Sequence, residues 1–315
     1  MKISILGAGA MGSLFGGLLA EAGEAVTLLD LNQAHLEAVR TRGLRLQTDQ
    51  GDRRITSLQA CRPEEASEVP ELLIVFTKTL HTRTALQGVQ HLLGPDTCVL
   101  TLQNGLGNVE AIGEFVPLDR ILVGVTTWPA DAVAPGHVHS HGEGAIRLST
   151  ADGAKREVLA RIASALANAG LRAQADLHVW AAVWEKVAFN AALNSLCAVT
   201  RCTVDQLNGA SGGQALAMSI VDEVIAVARA NGVEADGAKT RANVTHAMAA
   251  HVGHKPSMLQ DVLAGRASEI DFINGAVVAA ANRLGMKVVH TECLLTLVHL
   301  AESARASTQA VPQQH

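Results

Sequence analysis

Aromatic residues make up only 3% of this 315-residue chain, and its formal net charge is −5. Lysine and arginine form no basic run. A binder of nucleic acid or of an anionic membrane surface needs a concentrated basic face, and none is offered. Long hydrophobic runs are missing too, since no apolar stretch reaches the roughly 20 residues that span a bilayer. An apolar segment opens at residue 2, so no secretion signal is expected ahead of it. The five cysteines (61, 98, 197, 202 and 293) are odd in number and include no Cys-x-x-Cys pair. That pattern suits buried thiols in a reducing compartment, with the cytoplasm as the default. Among the 13 histidines, His137, His139 and His141 alternate and would share one face of a strand. No carboxylate is spaced to complete a site, so a polar strand face is the reading and no metal is expected.

What is present is ample apolar material, 48% of the residues, in a chain long enough for two cores. Apolar runs at residues 2–6, 25–29, 72–76, 98–102 and 121–125 are short and bounded by polar residues or glycine. Such runs suit parallel strands covered on both faces by helices. Helical patterns fall at 13–22, 33–41 and 154–169. Residues 44–47 and 54–58 read as a hairpin, 136–148 as an antiparallel extension, and 171–175 as a last strand. From residue 178 the pattern changes to about five long helices, among them 179–200, 214–231 and 271–284, ending in a polar tail from Ser303. The expected fold class is α/β: an N-terminal Rossmann-type doubly wound sheet domain, 1–176, followed by an all-α C-terminal domain, 177–315. The helices also offer a surface for a homodimer, which the sequence leaves undecided.

Gly7, Ala8, Gly9, Ala10, Met11 and Gly12 follow the first strand and open the first helix as G-x-G-x-x-G. In that setting the first glycine permits a tight turn, the second lets backbone approach a pyrophosphate, and the third lets helix and sheet pack closely. The helix N-terminus then offers unpaired N–H groups to the phosphates. Asp30, 18 residues past Gly12, ends the second strand where a carboxylate accepts from the ribose hydroxyls. It would also repel the 2′-phosphate of NADP, and no Lys or Arg follows before Arg40, so NAD(H) is favoured. The alternative is that Asp30 or Asn32 simply caps the next helix.

In the helical half, Lys186, Asn190 and Asn194 stand at i, i+4 and i+8. They drift only about 40° per step and share one face. Asparagine is a poor helix former, so this face suits a polar anionic ligand unless it is merely solvated. Ser257 with Gln260 matches a capping box, a role compatible with an outward hydroxyl. Glu269 stands at i+3 from Arg266, a plain helical ion pair on that reading. Lys78 and Asn104 follow strands at their carboxyl ends, where ligands sit in open α/β sheets.

Taken together, the glycine motif, Phe76-Thr-Lys78, Gln103-Asn104-Gly-Leu-Gly107, Trp184-Glu-Lys186 with Asn190 and Asn194, and Pro256-Ser257-Met-Leu-Gln-Asp261 with Glu269 and Asp271 resemble the ketopantoate reductase family over nearly the whole chain. The resemblance implies reduction of 2-dehydropantoate to pantoate with NADPH, in a cleft between a Rossmann domain and a helical domain. It implies that Lys186 is the general acid and Glu269 the carboxylate supporting the substrate and that lysine. Asn190, Asn194 and Ser257 would hold the substrate, with Asn104 and Lys78 at the cofactor–substrate junction. Three departures stand out: Asp30 at the second strand, His254 where an Asn often stands, and no proline around Val288 to Thr291. An NAD-dependent dehydrogenase of another branched D-2-hydroxy acid is the alternative within the family, and a non-catalytic NAD-binding regulator the alternative outside it.

Overall fold

The apolar runs near the N-terminus pair in parallel, as their lack of a polar face requires. In the computed structural model, which describes residues 1–309 and the side chains of 1–304, the first half alternates strand and helix. It runs β1 (Lys2–Leu6), α1 (Ala10–Glu21), β2 (Ala25–Leu29), α2 (Gln33–Arg42), β3 (Leu44–Thr48), β4 (Gly51–Ile55), β5 (Gln59–Cys61) and β6 (Leu72–Val75). Next come α3 (Thr82–Gly88), β7 (Cys98–Thr101), α4 (Asn108–Gly113), β8 (Ile121–Thr126), β9 (Asp131–Ala134), β10 (His137–His139), β11 (Ile146–Thr150), α5 (Glu157–Asn168) and β12 (Ala173–Ala175). Eight strands form the main sheet in the order β12-β11-β8-β7-β6-β1-β2-β5. From β8 to β5 every pairing is parallel, while β11 runs antiparallel to β8. Phe15, Leu14 and Leu19 of α1 are fully buried in one core with Ile3, Ile5 and Leu28.

The segment 136–148 is not one strand. Its start, β10, joins the hairpin of β3 and β4 in a second sheet of order β4-β3-β10-β9, and its end becomes β11 of the main sheet. Gly142 at φ +80° breaks the run between them, a backbone state that β-strands do not contain. The hairpin turn is also tighter than the sequence suggests, with only Asp49 and Gln50 between the strands.

The second half is α6 (Val179–Thr200), α7 (Val204–Gly209), α8 (Gly213–Ala230), α9 (Gly237–Ala250), α10 (Ser257–Ala264), α11 (Asn274–Arg283) and α12 (Val289–Gln309). Among the described residues these seven helices replace the expected five or so. The polar tail from Ser303 is helical through Gln309, because its Ala, Arg and Gln residues are good helix formers without an apolar face. Residues 271–284 split into a 3-10 turn, Ile270–Phe272, and α11. The chain divides into two compact units, residues 1–103 with 107–179, and residues 104–106 with 180–315. No described helix is long and apolar enough to cross a membrane.

Candidate functional site

In the sheet unit, each glycine of the motif has a distinct steric reason. Gly7 sits at φ +98°, and a Cβ there would lie 2.6 Å from the Thr77 nitrogen. A Cβ on Gly12 would lie 2.0 Å from the Gly7 oxygen, so only glycine lets α1 close down on the loop. Around Gly9 there is open space, which is what close approach of a phosphate needs. Gly9 is the N-cap of α1 and brings no side chain to the first turn, which holds Ala10 and Met11. The N-terminal amides are therefore not consumed by a capping side chain.

Asp30 is bound on both sides. Its Oδ2 accepts from the Ala8 N–H at 2.7 Å and its Oδ1 from the Asn32 N–H at 2.8 Å. The cap of α2 is Asn32, which accepts from the His35 N–H at 3.2 Å. A cleft of about 620 Å³ opens here, lined among others by Gly7, Gly9, Asp30, Glu64, Thr77 and Lys78. Arg62 is engaged by Glu64 at 2.5 Å and Arg40 by Glu65 at 3.4 Å. Sequence reasoning missed Gln103, whose Nε2 donates to the Thr77 carbonyl at 2.7 Å and to Thr82 Oγ1 at 2.8 Å. It fixes the loop that carries Lys78. A glutamine beside the more conspicuous Asn104 gave no signal of that role.

In the helical unit, α6 carries Lys186, Asn190 and Asn194 on one face. Asn190 is 8% and Asn194 6% exposed. Neither side chain has a hydrogen-bond partner among the described residues. Their amides are thus left with donors and acceptors that a polar ligand could use. Ser195, fully buried, shows the contrast: its Oγ donates to Asn274 Oδ1 at 2.7 Å, and Asn274 donates to the Ala191 carbonyl. Asn274 is a purely structural polar residue that the sequence did not flag, because its partner lies on a distant helix.

Burial lowers the pKa of Lys186 to about 8, while the carboxylate of Glu269 pulls in the other direction. Glu269 is half-buried and stands at the N-terminal boundary of the 3-10 turn Ile270–Phe272, with no side-chain cap bond to it. The Leu106 N–H donates to the Phe272 carbonyl at 2.8 Å, which seats the Asn104 loop on that same turn.

Two expectations fail at α10. The N-cap is Pro256, not Ser257, and no side chain caps the helix. Pro256 already sets φ at −58°, so Ser257 starts inside the helix, where its hydroxyl cannot reach back to the first turn. The partner expected for the capping box, Gln260, donates to the Lys255 carbonyl at 2.9 Å. Ser257 itself is exposed and makes no side-chain hydrogen bond among the described residues. The helical spacing assumed for Arg266 and Glu269 is also absent, since the chain is irregular from 266 to 268. Arg266 is held by the buried Asp261, at 2.9 Å.

The ketopantoate reductase PanE/ApbA family model matches residues 3–153, and its C-terminal counterpart matches residues 178–302. A 2-dehydropantoate 2-reductase of Streptococcus pyogenes is 35% identical over 306 residues, 96% of this chain and 98% of its own. One from Halobacterium salinarum is 33% identical over 303 residues, 96% of this chain and 99% of its own. Among solved structures, D-mandelate dehydrogenase with NADH and anilino(oxo)acetate superposes with a TM-score of 0.91 at 32% identity, covering 96% of this chain and 99% of that one. A ketopantoate reductase from Ralstonia eutropha gives 0.90 at 30% identity, with 97% and 100% covered. With both halves matched in order and the glycine loop and Lys186 face in place, the chain belongs to the ketopantoate reductase family and is a nicotinamide-dependent oxidoreductase.

Proposed function

We propose that this protein reduces the 2-oxo group of ketopantoate to give pantoate, in the biosynthesis of pantothenate, and that it works in the cytoplasm. Residues 1–176 bind the dinucleotide and 177–315 the acid. The observation that carries the reading is Lys186, with a pKa of about 8, on one helix face with two buried, unpartnered asparagines. Gly7, Gly9, Ala10, Met11, Gly12, Asp30 and Lys78 hold the dinucleotide, which supplies a hydride when bound. Lys186 stabilises the negative charge that develops on the substrate oxygen and gives it a proton, a contribution worth roughly 10²–10⁴-fold. Glu269 keeps enough of the lysine protonated for that step. Asn190 and Asn194 donate to the substrate's hydroxyl and carboxylate, and Ser257 and Asn104 complete the contacts.

NADH is preferred to NADPH. Asp30 and Glu64 both line the cleft, and Arg62 and Arg40 are already neutralised. A 2′-phosphate near Asp30 and Glu64 would meet like charge. The same preference supports a second reading, an NAD-dependent dehydrogenase of another D-2-hydroxy acid, as the likeness to the NADH complex of D-mandelate dehydrogenase suggests. Following NADH absorbance with ketopantoate and then with a panel of branched and aromatic 2-oxo acids separates the two. Turnover of ketopantoate at the highest kcat/KM supports the first reading, and a better substrate elsewhere in the panel replaces it. Lys186→Ala should lower kcat by about 10²–10⁴-fold while NADH still binds. An active Lys186→Ala enzyme would end the assignment.

A further inference from the structure

His35 lies on α2, 7% exposed, and takes no part in the chemistry above. The Gly136 N–H donates to its Nδ1 at 3.1 Å. A backbone N–H can only donate, so Nδ1 must be unprotonated and the ring proton sits on Nε2. Nε2 is 3.1 Å from Ser13 Oγ and donates to it. Ser13, fully buried, in turn donates to the Ala8 carbonyl at 2.8 Å. The other side of the Ala8 residue is held as well, its N–H donating to Asp30 at 2.7 Å. Each link fixes the direction of the next, and one neutral tautomer satisfies them all. Burial supports the neutral ring by lowering its pKa, against the raising influence of Asp30.

Resting on the reading that the glycine loop binds a dinucleotide, we propose that His35 is a positioning residue for that loop. The directed chain from Gly136 through His35 and Ser13 to Ala8 locks the peptides between Gly7 and Gly9 in the orientation that receives the pyrophosphate. It also makes dinucleotide affinity depend on the turn between β9 and β10, some hundred residues away in sequence. Gly136 is suited to this place: its φ is +73°, and a Cβ there would lie 2.8 Å from the Ala38 Cβ. Only glycine lets the turn press onto α2 and deliver its N–H to the ring. An apolar residue at position 35 would fill the space, but it would leave the Gly136 N–H without a partner and Ser13 free to rotate away from Ala8.

The test is calorimetric titration of the full chain with NADH, together with steady-state kinetics, for Ser13→Ala, His35→Leu and His35→Gln. Ser13→Ala and His35→Leu should each weaken NADH binding by roughly 5- to 30-fold, the range of one or two lost buried hydrogen bonds. At saturating dinucleotide, kcat and the KM for the 2-oxo acid should stay within about twofold. His35→Gln, which retains an N–H donor toward Ser13, should recover most of the affinity. Unchanged affinity in Ser13→Ala, a substitution that removes a single oxygen and is unlike a core truncation, overturns the proposal even where His35→Leu fails to fold. A fall in kcat at unchanged affinity, or no recovery in His35→Gln, overturns it too. A parent chain that binds neither NADH nor NADPH defeats the dinucleotide reading itself, a result distinct from equal binding by parent and variants.

Discussion

Lys186 sets the pH behaviour at the scale of single residues. A lysine whose pKa is brought to about 8 by burial is protonated below that pH and neutral above it. On the proposed role as proton donor in reduction it is competent at lower pH, so kcat for reduction should be flat on the acid side and fall as pH rises through about 8. In the oxidative direction the neutral amine is the competent form, and the limb should reverse. Glu269 raises the pKa, so Glu269→Gln should move both limbs to lower pH. A profile of log kcat against pH in each direction checks this; identical limbs in both directions would contradict it. Asp30 carries the second residue-scale prediction. On the proposed preference for NADH, Asp30→Ser removes the repulsion of a 2′-phosphate, and it frees the Ala8 and Asn32 amides that Asp30 accepts from. The ratio of kcat/KM with NADH to that with NADPH should fall by at least about tenfold.

At the scale of elements, the start of α12 depends on a side chain from α8. Glu223 accepts from the N–H groups of His290 and Thr291 at 3.0 and 2.8 Å, from His290 Nδ1 at 2.7 Å and from Thr291 Oγ1 at 2.7 Å. It serves as a cap supplied from another helix. Burial raises its pKa, but these hydrogen bonds outweigh burial and hold the group below its ordinary value. The depressed pKa means that the stabilisation is complete above the ordinary glutamate range and is lost as pH falls through the lower folded value. Glu223→Ala should cost about 2–3 kcal/mol, read as a lower Tm, and the loss should shrink in acid. The contrast with α10 is instructive. There Ser257 and Gln260 carry the capping pattern in sequence, yet Pro256 displaces it by one residue. A local pattern names residues able to cap, but only the turn of the chain ahead of them decides whether they do.

At the scale of the whole molecule, the division into units does not follow a single cut in the chain. Residues 104–106 belong with the helical unit although they lie between β7 and α4 of the sheet unit. Gly105 makes this seat possible: its φ is +84°, and a Cβ would lie 2.4 Å from the Phe272 oxygen. Gly105→Ala should therefore destabilise the fold by more than about 2 kcal/mol and displace Asn104, seen as a lower midpoint in denaturant and a raised KM for the acid.

The five central parallel strands of the sheet unit were legible from the sequence because such strands are apolar throughout, and the glycine motif was legible because each glycine answers a local steric demand; the short β5, β9, α3 and α4 were not. The face of α6 was legible because helical periodicity alone brings Lys186, Asn190 and Asn194 together. Local pattern could not assign residues 136–148 to two different sheets, deny Ser257 its cap, or pair Arg266 with Asp261. Nor could it join Gly136 to His35 or Phe272 to the Asn104 loop. Those pairings link residues far apart along the chain, or depend on where an irregular segment is held, and their energies exist only once the packed interior removes water from both partners.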